Sequence, residues 1–180
     1  MINNLYIITG GPGCGKTTLI EKLKQYGYNC IDEAARSIIQ EQVKNNGDAL
    51  PWKNTFKYKQ LMLQKSIEDY TKANKESITF FDRGIPDTVC YSKVLNKEIT
   101  PEENLASITY RYNKKVFWLP PWKEIYTTDS ERKQNWTEAK RTAFLMQETY
   151  LNYGYEVIKI PKTTPKERAL FILDNLDNIQ

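Results

Sequence analysis

Short apolar runs alternate with amphipathic stretches along the whole chain. Leu5-Tyr6-Ile7-Ile8 is β-rich and predicts a first strand over residues 5–9. Leu19-Ile20-Glu21-Lys22-Leu23-Lys24 has helical spacing and predicts a helix over 15–26. Tyr28-Asn29-Cys30-Ile31 reads as a second, short strand. Ala34, Ala35, Ile38, Ile39 and Val43 then recur at helical spacing, from about Glu33 to Lys44. Asn45-Asn46-Gly47-Asp48 is a break, and 52–73 reads as a long helix. Ile78-Thr79-Phe80-Phe81 is a third strand ending at Asp82. Pro86 opens a helix to about Leu95, and Pro101 another to about Tyr112. Lys115–Leu119 is a fourth strand, stopped by Pro120-Pro121. A polar stretch, 126–135, precedes a helix at about 136–153 that ends at Gly154. Residues 155–160 form a fifth strand, and Pro165 opens a last helix to about Asn178.

Five strands with helices between them predict an α/β fold: a parallel sheet with helices on both faces. At 180 residues one domain is expected, spanning 1–180, with neither repeat nor linker. The polar stretch after Pro121, within 122–140, is the candidate lid. No apolar run approaches the roughly 18 residues of a membrane span, and the first residues lead straight into the first strand, without a signal peptide. Cys14, Cys30 and Cys90 lack metal-site spacing and read as reduced thiols, so a cytoplasmic protein is expected. The chain has no histidine, which excludes histidine acid–base catalysis and most zinc sites. A net charge of +4 suits an anionic small-molecule ligand; no arginine-rich run supports nucleic-acid binding. The sequence does not specify an oligomeric state.

The chemistry enters at Gly10-Gly11-Pro12-Gly13-Cys14-Gly15-Lys16-Thr17-Thr18. It matches the phosphate-loop pattern G-x-x-x-x-G-K-[ST], set between a strand and a helix as that motif requires. Gly11 through Thr18 are the candidate nucleotide-binding residues, with backbone N–H groups turned inward and a helix N-terminus beneath them. Lys16 is expected at the β- and γ-phosphates of ATP. The Thr17 hydroxyl is expected on Mg²⁺. Cys14 reads as a small spacer in the loop.

Asp82 ends an apolar strand at the edge where open α/β sheets bind ligands, which makes it a second candidate Mg²⁺ ligand. Its alternative is to cap the following helix, a role also open to Asp87. Arg83 faces the transferring phosphate, the acceptor or a structural carboxylate. Gly84 is expected to let the chain turn sharply. Asp32 is assigned to cap the helix after the second strand. Glu33, one residue on, is a candidate base, metal ligand or acceptor clamp, and Arg36 lies one helical turn from it. Arg132, in the polar stretch, is a candidate lid arginine over the γ-phosphate or adenine.

The runs ITGGPGCGKTTLIEKL, IDEAARSII, ITFFDRGIPDT, VFWLPPWKEIYTTDSERKQ and GYEVIKIP together resemble the predicted-ATPase family of nicotinamide-riboside-kinase-like P-loop proteins, labelled an AAA-type ATPase domain. The resemblance spans about 5 to 175. It implies a P-loop NTPase with strand order 2-3-1-4-5, as in kinases, and ATP–Mg²⁺ binding. It also implies that Glu33 is the strand-two acid with Arg36 its basic partner, that Asp82 and Arg83 are the acid–arginine pair of strand three, and that Arg132 is the lid arginine. The acceptor does not carry over.

Two functions compete. One is an ATP–Mg²⁺-dependent phosphotransferase acting on an unidentified small molecule, nucleoside-like compounds included. Its catalytic residues would be Lys16, Glu33, Asp82, Arg83 and Arg132, with Glu33 and Arg36 on the acceptor. The other is an ATP-hydrolysing regulator that works through a protein partner. A guanine-specific switch is disfavoured, because Asn96-Lys97-Glu98-Ile99 and Asn113-Lys114-Lys115-Val116 both lack the aspartate of N-K-x-D. A motor-type ATPase usually sets glutamate beside the strand-three aspartate; here Arg83 stands there.

Overall fold

The computed structural model describes residues 3–127 and 134–176. β1 (Leu5–Gly10), β2 (Asn29–Ile31), β3 (Thr79–Asp82), β4 (Lys115–Leu119) and β5 (Glu156–Lys159) form one sheet in the order β2-β3-β1-β4-β5. All four pairings are parallel. This is the order implied by the resemblance.

The central strand β1 is buried at every position, which explains why it reads as an unbroken apolar run rather than an alternating one. Its residues divide by parity between two cores. Tyr6 and Ile8 join Phe80, Phe117 and Leu119 against α1 (Lys16–Gln25) and the last helix, α7 (Pro165–Asp174). Leu5 and Ile7 join Phe81, Val116, Tyr112 and Tyr150 on the opposite face. That face is covered by α4 (Pro86–Val94), α5 (Pro101–Thr109) and α6 (Trp136–Asn152). Outside it, α2 (Ala34–Lys44) packs on α3 (Thr55–Lys72) through Ile38, Tyr58 and Met62.

Three departures from the sequence reading have local causes. Helix α5 ends at Thr109 rather than near Tyr112, because the chain straightens to place Tyr112 in the core and to let the Asn113 amide donate to the Leu5 carbonyl at 2.7 Å. Helix α3 begins at Thr55, where the Asn54 side chain accepts the Lys57 amide. Asp32 does not cap α2. It is exposed and pairs with Lys24 at 2.6 Å, while Glu33 occupies the cap position without a side-chain cap bond.

Candidate active site

The phosphate loop joins the C-terminal end of β1 to α1. Gly13 and Gly15 lie at φ 71° and 79°, a left-handed backbone that side chains disfavour. Gly15 is the N-cap of α1, with no side-chain cap bond and no acid in the first turn. By contrast, α5, α6 and α7 each carry a full capping box: Thr100/Glu103, Asn135/Glu138 and Thr164/Glu167. The α1 N-terminus therefore keeps its N–H groups and its dipole for an external anion. The Thr18 hydroxyl donates to the Gly15 carbonyl at 3.0 Å, and Thr17 is exposed at the mouth.

Four of the predicted residues meet at one point. Lys16, 8% exposed, pairs with Asp82 from the end of β3. Its ammonium also lies 3.8 Å from Glu33 Oε2. The other Glu33 oxygen accepts from Arg83 Nε at 2.5 Å. Burial opposes the Glu33 charge, but Arg83 and Lys16 outweigh it and hold the carboxyl at about 2, below the usual 4.5. Asp82 moves the other way: burial pushes its carboxyl up, against the pull of Lys16. Burial also works against the Arg83 charge, yet Glu33 and Asp87 raise its affinity for the proton well above normal. Arg36, on the first turn of α2, is exposed and near enough to add to the field that depresses Glu33. Arg132 lies outside the described residues. Of the candidate lid, the described parts are a 3₁₀ turn at Lys123–Ile125 and the first turns of α6.

A narrow cleft opens beside this cluster, between the ends of β2 and β3 and helix α3. Ile31, Met62, Phe81 and Tyr112 give it apolar walls, and Ser66 and Asp69 face it from α3. Glu33, Asp82 and Arg83 sit at the end nearest the phosphate loop. Among the described residues that line it, Arg83 is the one cation, against Asp32, Glu33, Asp69, Asp82 and Asp87.

The sequence profile of the AAA domain family matches residues 5–168, from the first residue of β1 into α7. The chain belongs to that family. No curated protein matches it. Among solved structures, this AAA domain is similar to a deoxyadenosine kinase from M. mycoides with bound dATP, at 16% identity and a TM-score of 0.63, covering 94% of this chain and 97% of that one. It is similar to a thymidylate kinase from Ehrlichia chaffeensis, at 14% identity and a TM-score of 0.64, covering 94% and 96%. It is also similar to a shikimate kinase from Acinetobacter baumannii in complex with shikimate, at 14% identity and a TM-score of 0.59, covering 97% and 92%. At these identities the likeness shows the fold, that of P-loop kinases.

Two residues of this AAA domain escape sequence reasoning. Arg168, on α7 and 3% exposed, donates from Nη1 to the Cys14 carbonyl at 3.2 Å and lies over the Trp122 ring at 5.5 Å. A Cβ on Gly15 would come within 2.9 Å of its Nη2, so the arginine braces the loop directly behind the α1 N-terminus. The second is Asp87, in the first turn of α4 and 5% exposed. The sequence offered it only as a cap for the helix after β3, but α4 has Ile85 at its cap position and no side-chain cap bond. Among the described residues no helix is long and apolar enough to cross a membrane. Nor do they include a group of three or more His, Cys, Asp or Glu side chains arranged for a metal. Mg²⁺ at a phosphate site does not need one: one or two protein oxygens plus phosphates suffice.

Proposed function

We propose that the chain is a Mg²⁺-dependent phosphotransferase of the P-loop kinase type, moving the γ-phosphoryl group of ATP to a hydroxyl of a small molecule. The observation that carries this is the cleft beside the phosphate loop, with Glu33 and Arg83 joined to Lys16 at its inner end.

The donor set fits the nucleotide and its metal. The α1 N-terminus is uncapped, Lys16 reaches the cluster, Asp82 offers a carboxylate there, and Thr17, next to Lys16 in the chain, offers an exposed hydroxyl. Bound Mg²⁺ would neutralise phosphate charge as it shifts between oxygens. Lys16 supplies the protein's own positive charge to the moving group. Arg83 and Glu33 hold the acceptor. With its carboxyl at about 2, Glu33 is ionised and accepts a hydrogen bond from the attacking hydroxyl, orienting it; proton affinity is secondary in so loose a transition state.

The lining charges favour an uncharged or cationic polyol over a phosphorylated or carboxylate acceptor. Asp32, Asp69 and Asp82 are paired with Lys24, Lys65 and Lys16, and the one cation of the lining, Arg83, is already held by Glu33 and Asp87. Of the similar kinases, the one named for a nucleoside, deoxyadenosine, fits this balance better than those named for thymidylate or shikimate.

The test is ATP turnover with Mg²⁺, with and without deoxynucleosides, nicotinamide riboside, thymidylate and shikimate, following products by mass spectrometry. A phosphorylated nucleoside-class product, absent in Lys16→Ala, is the expected result. Hydrolysis that no acceptor stimulates would sink the proposal and leave the partner-dependent regulator. Glu33→Gln is expected to keep ATP affinity and lose about 10²-fold or more in turnover; a tenfold weaker grip on ATP would instead place Glu33 in the metal site.

A further inference from the structure

Asp87 is an acid buried under the site that the mechanism above does not use. Four donors converge on it. Oδ1 accepts from the Thr9 hydroxyl at 2.8 Å and from Arg83 Nη1 at 3.3 Å. Oδ2 accepts from the Gly84 amide at 2.9 Å and from the Tyr150 hydroxyl. These donors come from β1, from the β3–α4 turn and from α6. An acid that only favoured the dipole of α4 could stand in solvent. This one is enclosed, on a helix buried from Pro86 to Cys90.

We infer that Asp87 is the positioning residue of the acceptor clamp: it holds Arg83 in the conformation that presents its Nε to Glu33, and it anchors that arginine to the end of β1 beside the phosphate loop. This rests on the reading of Arg83 and Glu33 as the clamp. Arg83 stands at φ 74°, a region costly for a residue with a side chain, so something must hold it there. Asp87 does so from both sides. One oxygen takes the Arg83 guanidinium and the other takes the backbone amide that follows Arg83. Glu33 cannot do this alone, because its second oxygen faces Lys16. Thr9 is the next-to-last residue of β1, so the same carboxylate joins the acceptor arginine to the strand that ends in the loop.

The job requires an ion that only accepts. Arg83 Nη1 and Gly84 N are obligate donors, and they address opposite oxygens of Asp87. Asparagine has one acceptor oxygen and one amino group, so in either orientation it sets N–H against one of these donors. The Thr9 and Tyr150 hydroxyls can reverse their roles; the other two cannot. Asp87→Asn therefore breaks the hold on Arg83 while keeping size and shape.

The experiment reads Arg83 directly, by ¹⁵N NMR of the arginine Nε–H groups in the full chain. There are six arginines, and Arg83→Lys assigns the signal of interest. In Asp87→Asn the Arg83 Nε–H is expected to exchange with water about tenfold faster or more, while Arg111 and Arg168 signals stay in place and report an intact fold. Acceptor-dependent turnover is expected to fall by about 10²-fold with ATP affinity unchanged. The double variant Arg83→Lys/Asp87→Asn should be no slower than Arg83→Lys alone. An unmoved Arg83 signal in folded Asp87→Asn, or single losses that multiply, would overturn the inference. Should Asp87→Asn not fold, Tyr150→Phe removes one donor and frees the carboxylate to turn; faster Arg83 exchange supports the inference and an unchanged rate overturns it. If the wild type phosphorylates no acceptor, the kinase reading fails, and the NMR measurement still decides what Asp87 does.

Discussion

Arg83 and Gly84 divide the work of the β3–α4 turn differently from what their residue types suggest. The left-handed position belongs to the arginine, at φ 74°, and not to the glycine. Gly84 is needed for room. A Cβ there would lie 2.4 Å from Ile7 Cδ1 and 3.1 Å from the Tyr150 hydroxyl. Gly84→Ala is therefore expected to cost about 1–3 kcal/mol by overpacking, read from denaturant unfolding. The cysteines follow a simpler rule. Burial pushes the Cys30 thiol up to about 11 and the Cys90 thiol up to about 12. Both stay protonated at pH 8, so alkylation there should be much slower than for a free thiol and should quicken as pH rises toward those values. At this scale the sequence was legible where chemistry is contiguous. Gly10 to Thr18 announces itself in nine residues, and Asp82-Arg83 sits where a strand must end. Asp87 was not legible, because its meaning depends on Thr9 and Tyr150, 78 and 63 positions away.

Among the helices, the clearest contrast lies in how they begin. Thr100, Asn135 and Thr164 close three N-termini with reciprocal glutamates, while α1 is left open over the phosphate loop. Two of these starts were visible in the sequence through Pro101 and Pro165, since a proline in the first turn is a local signal; Asn135 carries no such proline. What α5 does next was not visible. Its Glu103 is 2% exposed and meets Lys59 of α3 at 3.0 Å and the Ser92 hydroxyl of α4 at 2.9 Å. One cap residue thus holds three helices together. Lys59→Met should cost about 3–5 kcal/mol by leaving that carboxylate without its cation, with ATP affinity unchanged. Calorimetric unfolding beside nucleotide titration would check both halves. A loss well under 1 kcal/mol would mean that Ser92 and the cap satisfy Glu103 without the lysine.

For the molecule as a whole, alternation of strand and helix was enough to predict a parallel sheet with helices on both faces. The strand order came from the resemblance and not from periodicity, because an apolar run carries no label for its neighbours. The sheet then does what its topology allows: it brings the ends of β1, β2 and β3 together, and with them Lys16, Glu33, Asp82 and Arg83. The pairing of Lys16 with Asp82 has a thermodynamic consequence. A triphosphate can recruit the lysine only by taking it from the aspartate, which is left buried and unneutralised unless another cation arrives. On the proposed function, nucleotide and divalent ion are bound to each other's fate: each should raise the affinity of the other by the same factor, as linkage demands. Asp82→Asn is expected to shrink that factor and to tighten the binding of ATP without metal, measurable by calorimetric titration with Mg²⁺ or with EDTA. An equal Mg²⁺ dependence in both proteins would show that the ion pair sets no toll on nucleotide entry. Where the pair does set it, the free protein resists polyanions that come without a metal, and what it admits is the complex rather than the nucleotide.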